Sequence, residues 1–411
     1  MRNGRARVDV NQAVVLCGGL GTRLGKITKR TPKPLIKVNN KAFLDYVLLN
    51  LTRFGINEIV LLCSYKSAIF FKKYNNKKIN NVKIICVKEK KLMGTYGALL
   101  NAKKKLNNFF FLLNGDTYFN VNLRDFQKKY NPNYFCSIAL SKQKNISRYT
   151  AVEKNKVDTI TKINTKVKKK KFVFINSGIN IINKKIFNIR TLKNKSSLEK
   201  EVFPYLVKKK KIQGIYSKNY CDFIDIGVKA DLKKSHNFIK TKIIKPAIFL
   251  DRDGVINEDL GYVFKKENFI WKKNIFKAIK CINDNNFYVF VVTNQSGIGR
   301  GFYNEHDLNV LHSWMNKKLN TTGAYIDDFF YSPYFKRSKK YSSIKYFNLR
   351  KPRIGMINLA KKKWVIDLKK SWVIGDQITD IKMAKNAKLK SVLIQKKDDI
   401  FKIIKKKLIK S

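Results

Sequence analysis

Residues 247–257 read AIFLDRDGVIN. Four apolar residues end abruptly in Asp251-Arg252-Asp253-Gly254. A short run rich in Ile, Phe and Leu, closed by Asp and Gly, reads as a buried strand. Two aspartates two positions apart at such an end, with glycine after them, are a specific signal. Asp251 can attack phosphorus, while Asp253 can protonate a leaving oxygen and later activate water. Downstream, 291–301 (VVTNQSGIGRG) is another strand end, where Thr293 can bond a phosphoryl oxygen. Arg350-Lys351-Pro352 and 374–380 (IGDQITD) complete an ordered set.

Upstream, 13–24 (AVVLCGGLGTRL) is a second strand that breaks into a functional loop. Gly18, Gly19 and Gly21 let backbone approach a ligand without a Cβ in the way. Their N–H groups, with Thr22, can cradle a triphosphate at the start of the following helix. About ten residues past Arg23 comes Thr31-Pro32-Lys33-Pro34-Leu35, whose prolines stiffen an excursion that presents Lys33. Arg23 and Lys33 can then meet the charge that develops during phosphoryl chemistry.

Around these loops, short apolar runs alternate with amphipathic stretches. Runs at 13–17, 58–63, 83–87, 109–113, 134–140, 247–250, 288–292, 371–374 and 391–394 read as buried parallel strands. Stretches such as 41–54 carry helical apolar spacing. The pattern is α/β throughout. The polar, basic segment 233–245 (KKSHNFIKTKIIK), followed by Pro246, places a domain boundary near residue 243. The expected division is an extension at 1–10, a domain at 11–235, a linker at 236–246, a domain at 247–396 and a basic tail at 397–411.

The 411 residues carry 88 Lys+Arg against 28 Asp+Glu, a formal charge of +60. The excess is mostly lysine, spread along the chain with abundant Asn and Ile, as in sequences encoded by A/T-rich DNA. A nucleic-acid surface would concentrate arginine and aromatic residues. No specific nucleic-acid partner is expected, and the positive field is read as an aid to capturing anionic substrates. Six scattered cysteines without a CxxC suit a reducing compartment. No run of roughly 18 apolar residues is present, and the basic start lacks an apolar core. These features predict a cytoplasmic protein without a membrane partner.

The first half resembles the sugar-1-phosphate nucleotidylyltransferases over about residues 11–235. Beyond GGLGTRL and TPKPL, the resemblance is carried by 89–98 (EKKLMGTYGA), 112–117 (LLNGDT), 174–181 (FINSGINI), 197–204 (SLEKEVFP) and 223–227 (FIDIG). It implies that Gly94 and Thr95 face the nucleoside, with Tyr96 where glycine is usual. It implies that Asn176, Gly178, Glu199 and Lys200 bind sugar and that Asp116 and Asp225 hold Mg²⁺. A usual glutamate-lysine pair is missing at 164–166, where only Lys166 matches. The opening loop, 92–98 and the short 197–204 segment look most like guanylyltransferases for heptose or mannose 1-phosphate. The implied partners are a nucleoside triphosphate, with GTP favoured, and sugar phosphates.

The second half, about 247–396, resembles the haloacid dehalogenase phosphatases. Within that superfamily it looks like the D-glycero-D-manno-heptose 1,7-bisphosphate 7-phosphatases and their histidinol-phosphatase relatives. The match makes Asp251 the nucleophile and Asp253 the acid/base, with Asp251, Asp253 and Asp376 around Mg²⁺. Thr293 and Lys351 would hold the phosphoryl group and Arg350 would read the substrate. Glu258, Asp259, Gly261, Tyr262, Asn294, Gln295 and Ser296 would line the pocket. Many relatives bind zinc before Arg-Lys-Pro, whereas 331–352 (YSPYFKRSKKYSSIKYFNLRKP) has no Cys or His. No zinc is expected, and the loop must be held by its aromatic residues or be mobile. Gln377 stands where lysine is usual.

The expected architecture is α/β in two Rossmann-like domains, the first a nucleotidyltransferase mixed sheet and the second a haloacid dehalogenase fold. The halves suit consecutive steps in making a GDP-heptose. The alternative is a mannose-1-phosphate guanylyltransferase fused to a histidinol-phosphate-type phosphatase.

Overall fold

The computed structural model describes residues 8–89, 91–143, 150–164, 172–217 and 222–409. Lys166 and Cys221 lie outside them. The chain forms two compact units, Met1–Lys240 and Thr241–Ser411.

In the first unit, strand Gln12–Leu16 lies parallel between Glu58–Cys63 and Phe109–Asn114, and Val82–Lys88 continues the sheet beyond Glu58–Cys63. Ala13, Val14 and Val15 are fully buried, as a central strand covered on both faces requires. The sheet turns mixed past Phe109–Asn114, where Val173–Asn183 pairs antiparallel. The 134–140 run corrects the expectation of parallel strands. Its strand, Cys136–Gln143, pairs antiparallel with Val173–Asn183 and parallel with Ile212–Tyr216. The strand order in chain sequence reverses at Gln12–Leu16, which opens a crevice at its carboxyl end.

The second unit has a five-stranded parallel sheet in the order Asp328–Ser332, Tyr288–Asn294, Ala247–Leu250, Trp372–Gly375, Lys390–Leu393. Strand Ala247–Leu250 is again central and again the reversal point. Strand Lys390–Leu393, expected to be buried, is an edge with Leu393 exposed.

The supposed tail and linker are corrected as well. Residues 397–411 include helix Ile400–Ile409, whose Ile400, Ile404 and Leu408 share a core with Ile275, Ile279 and Ile282 of helix Ile275–Asp284. Apolar residues every fourth position form one stripe, and the intervening lysines face solvent. Each such burial contributes about 1.5–3 kcal/mol. Within 236–246, helix Lys229–Phe238 continues into the segment, and Lys245 is buried with its ammonium over the Tyr288 ring. Among the described residues, no helix is long and apolar enough to cross a membrane.

Candidate active sites

In the first crevice, the glycine loop leaves strand Gln12–Leu16 and is pinned from two sides. Ser64 Oγ donates to the Gly18 carbonyl at 2.8 Å, and Thr28 Oγ1 donates to the Gly21 carbonyl at 3.0 Å. Gly19, Thr22 and Arg23 are exposed on it. Lys33 follows, buried, and its ammonium bonds Asp116 Oδ2 and lies 3.8 Å from Asp225 Oδ1.

The two aspartates meet because strand Phe223–Asp225 pairs antiparallel with Thr117–Phe119, setting Asp225 opposite Thr117. The Thr117 hydroxyl lies 3.3 Å from an oxygen of each. Two carboxylates thus share one cationic group, so the pocket accepts positive charge, as an oxygen-ligated divalent ion requires.

Around this centre, Gly94 has φ 79° and lies so close to the Ser196 carbonyl that a Cβ would come within 2.5 Å. That contact docks 94–98 on 196–201, where Thr95 Oγ1 donates to Glu199 Oε2 at 3.0 Å. Lys200 is exposed beside it. Asn176 Oδ1 accepts from the Gly178 amide at 2.8 Å, shaping a bulge in the strand. Tyr96, in place of the usual glycine, is buried and donates to the Ile186 carbonyl.

In the second unit a cavity of about 390 Å³ opens over the carboxyl ends of the strands. Asp251, Asp253, Thr293, Lys351 and Asp376 line it. So do Asp259, Gly261, Tyr262, Asn294, Gln295 and Ser296. Lys351 is buried, with Nζ 2.6 Å from both Asp251 Oδ2 and Asp380 Oδ1. Burial pushes the Asp251 carboxyl up to about 7, against the pull of Lys351 and with Asp380 and Asp253 adding to the rise. Burial also raises Asp376. Gly254, at φ 83°, makes room for Asp376, since a Cβ there would lie 2.1 Å from Asp376 Oδ2.

One carboxylate oxygen from each of Asp251, Asp376 and Asp380 lies within 4.8 Å of the others. Asp376 Oδ1 is buried and has no hydrogen-bond partner. Three hard oxygen donors and an unsatisfied carboxylate atom fit a divalent cation.

Three expectations are corrected here. The side chain of Asp253 lies outside the carboxylate cluster of Asp251, Asp376 and Asp380, held by Arg252, Asn257 and Gln295. Asp380 converges instead. Glu258 does not line the cavity, because it pairs with Lys272 at 2.7 Å. Arg350 is half-buried and also lies outside the lining. Asp380 was in view as the last residue of 374–380, but its inward turn depends on its place in the first turn of helix Ile378–Asn386. Gln377, where lysine is usual, donates to Asp376 Oδ2 at 3.1 Å.

The loop at 331–349, which has no Cys or His, has an aromatic hold. Tyr334 packs on Phe347 with ring centroids 4.9 Å apart, and Tyr341 on Tyr346 at 5.0 Å. The guanidinium of Arg353 lies 3.5 Å from the Phe347 ring centroid, and that of Arg300 lies 4.2 Å from Phe335's.

Two crevices at strand-order reversals, each with converging carboxylates and a buried lysine, define an enzyme of phosphoryl chemistry with two active units. The chain belongs to the nucleotidyl transferase family, whose model matches residues 12–242. A haloacid dehalogenase-like hydrolase model matches residues 348–398.

Among curated relatives, the D-glycero-alpha-D-manno-heptose 1-phosphate guanylyltransferase of Campylobacter jejuni is 38% identical over 220 residues, 54% of this chain and 96% of the relative. The D-glycero-beta-D-manno-heptose-1,7-bisphosphate 7-phosphatase of Rhodopseudomonas palustris is 41% identical over 158 residues, 38% of this chain and 88% of its own. The D-glycero-alpha-D-manno-heptose-1,7-bisphosphate 7-phosphatase of Campylobacter jejuni is 35% identical over 171 residues, 41% of this chain and 92% of its own.

Proposed function

We propose that the chain carries out two consecutive steps of heptose activation. The second unit removes the 7-phosphate of D-glycero-D-manno-heptose 1,7-bisphosphate. The first unit transfers GMP from GTP to the resulting heptose 1-phosphate and releases pyrophosphate. The reading rests on one observation above all: a hydrolase crevice and a transferase crevice occur in one chain, each similar to enzymes named for the same heptose series. The α anomer is favoured, because the guanylyltransferase relative is named for it. The scattered cysteines without a CxxC suit a reducing compartment, so we place the protein in the cytoplasm.

In the hydrolase, Asp251 attacks phosphorus and the bond to the sugar oxygen breaks. Asp253 gives that oxygen a proton. Water, deprotonated by Asp253, then releases inorganic phosphate from Asp251. Lys351 and Thr293 hold the phosphoryl oxygens, and Asp251, Asp376 and Asp380 would hold Mg²⁺. In the transferase, the glycine loop receives the triphosphate, while Arg23 and Lys33 meet charge on the phosphoryl groups. Asp116 and Asp225 would hold Mg²⁺ there. Bound Mg²⁺ supplies both units with neutralisation of phosphate charge.

The test is phosphate release across sugar bisphosphates and histidinol phosphate, followed by pyrophosphate release with each nucleoside triphosphate. Heptose 1,7-bisphosphate and GTP should give the highest kcat/KM. A higher value for histidinol phosphate or for CTP would overturn the heptose reading.

A further inference from the structure

Arg252 stands between the two aspartates of the nucleophile loop, and nothing in the reaction as proposed uses it. The chain bends at Arg252, which is buried, while Asp251 and Asp253 on either side line the cavity. Its side chain is fully buried. A guanidinium is kept in such a place when a partner repays its lost hydration.

The partner is Asp253. Arg252 Nε and Nη2 donate to Asp253 Oδ1 at 3.1 and 2.9 Å, and Nη2 also donates to Oδ2 at 2.9 Å. Two amides complete the cradle. Asn257 Nδ2 donates to Oδ1 at 2.9 Å, and Gln295 Nε2 donates to Oδ2 at 2.9 Å. The planar fork fixes the plane of the carboxylate, which a single point charge does not. The same Nη2 donates to the Val263 carbonyl at 2.6 Å. Val263 directly follows Tyr262, which lines the cavity. One guanidinium therefore ties the Asp253 carboxylate to the segment that faces the substrate.

We infer that Arg252 is a positioning residue: it aims Asp253 at the leaving oxygen and couples that aim to 261–263. The inference rests on Asp253 being the acid/base. A misaimed acid slows only substrates whose leaving oxygen needs a proton. A nitrophenolate leaves without one, and kcat/KM reports events up to its departure.

The experiment compares Arg252→Met and Arg252→Lys with wild type on heptose 1,7-bisphosphate and on p-nitrophenyl phosphate. In Arg252→Met, kcat/KM should fall about 10- to 100-fold on the sugar ester and less than about threefold on the aryl ester. Arg252→Lys should recover part of the sugar-ester rate. Equal losses on both esters in a folded variant would overturn the inference and leave Arg252 a structural clamp. Should Arg252→Met not fold, Asn257→Ala removes another donor to Asp253 and must move the ratio the same way by a smaller factor. An unchanged ratio in Asn257→Ala then overturns the inference. Asp253→Asn is the control. If it leaves the ratio unchanged, the acid/base role itself falls and the inference with it.

Discussion

Lys351 Nζ bridges Asp251 and Asp380 at 2.6 Å to each, so the proposed nucleophile is tied through one ammonium to a carboxylate at the start of another helix. Burial works against the Lys351 charge, but the two carboxylates outweigh it and hold the ammonium above its usual range. Replacing Asp251 by Asn keeps the shape and removes the nucleophile. Phosphate release should drop by about a thousandfold or more, and pyrophosphate release by the other unit should stay at the wild-type rate. Loss of both in a folded protein would contradict separate active units.

Asp116→Asn should do the reverse. Removing one group that stabilises transition-state charge commonly costs about 100-fold or more. The Mg²⁺ concentration giving half-maximal transfer should also rise. Transfer at full rate and unchanged Mg²⁺ dependence would reject the assignment of Asp116.

His312 is buried, stacked on Phe329 with ring centroids 4.2 Å apart, and neither ring nitrogen has a hydrogen-bond partner. Burial, and then the Arg252 charge, hold its pKa well below 6.5. The unfolded chain therefore takes up a proton near pH 6.5 that the folded chain refuses. Stability due to the neutral ring is complete above that pH and is lost as pH falls, by about 1.4 kcal/mol per unit. Urea unfolding of the second unit at pH 7.5 and 5.5 reads this loss by comparison with His312→Phe, because the raised Asp251 carboxyl gains stability as pH falls through the same window. His312→Phe should shift the change from pH 7.5 to 5.5 by about 1.4 kcal/mol toward greater stability at the lower pH. An identical difference in both proteins would count against it.

Ile404→Ala should cost the second unit about 2–5 kcal/mol, because Ile404 is 1% exposed within that core. Thermal unfolding should show the second unit shifted, with nucleotidyl transfer unaltered at moderate temperature. A loss below about 1 kcal/mol would place the helix outside the cooperative core.

The purified protein should hold no stoichiometric zinc, and phosphatase activity with excess Mg²⁺ should survive prior treatment with a zinc chelator. One tightly bound zinc per chain by elemental analysis would refute this. Phe347→Ala should loosen the loop instead, seen as faster proteolysis within 333–349.

Both crevices were legible because a central parallel strand must be apolar until it ends, and the chemistry begins at that end. AVVLCGG and AIFLDRDG state both facts within a few residues. What stayed hidden depends on side-chain direction. Glu258 sits in the right segment but turns to Lys272. Asp253 sits in the metal motif but is claimed by Arg252. The stripe Ile400, Ile404, Leu408 was masked by lysines that mark the outer face of a helix as readily as a solvated tail.

Helix Ile400–Ile409 also bears on the order in which the chain becomes folded while it is being made. The first unit's strands all precede residue 226, so its sheet can close early in translation. The second unit lacks part of its core until 400–409 have cleared the ribosome. At about 5–20 residues per second, that interval is on the order of ten seconds or more. Throughout it, the stripe of helix Ile275–Asp284 that Ile400, Ile404 and Leu408 will cover stays open to water.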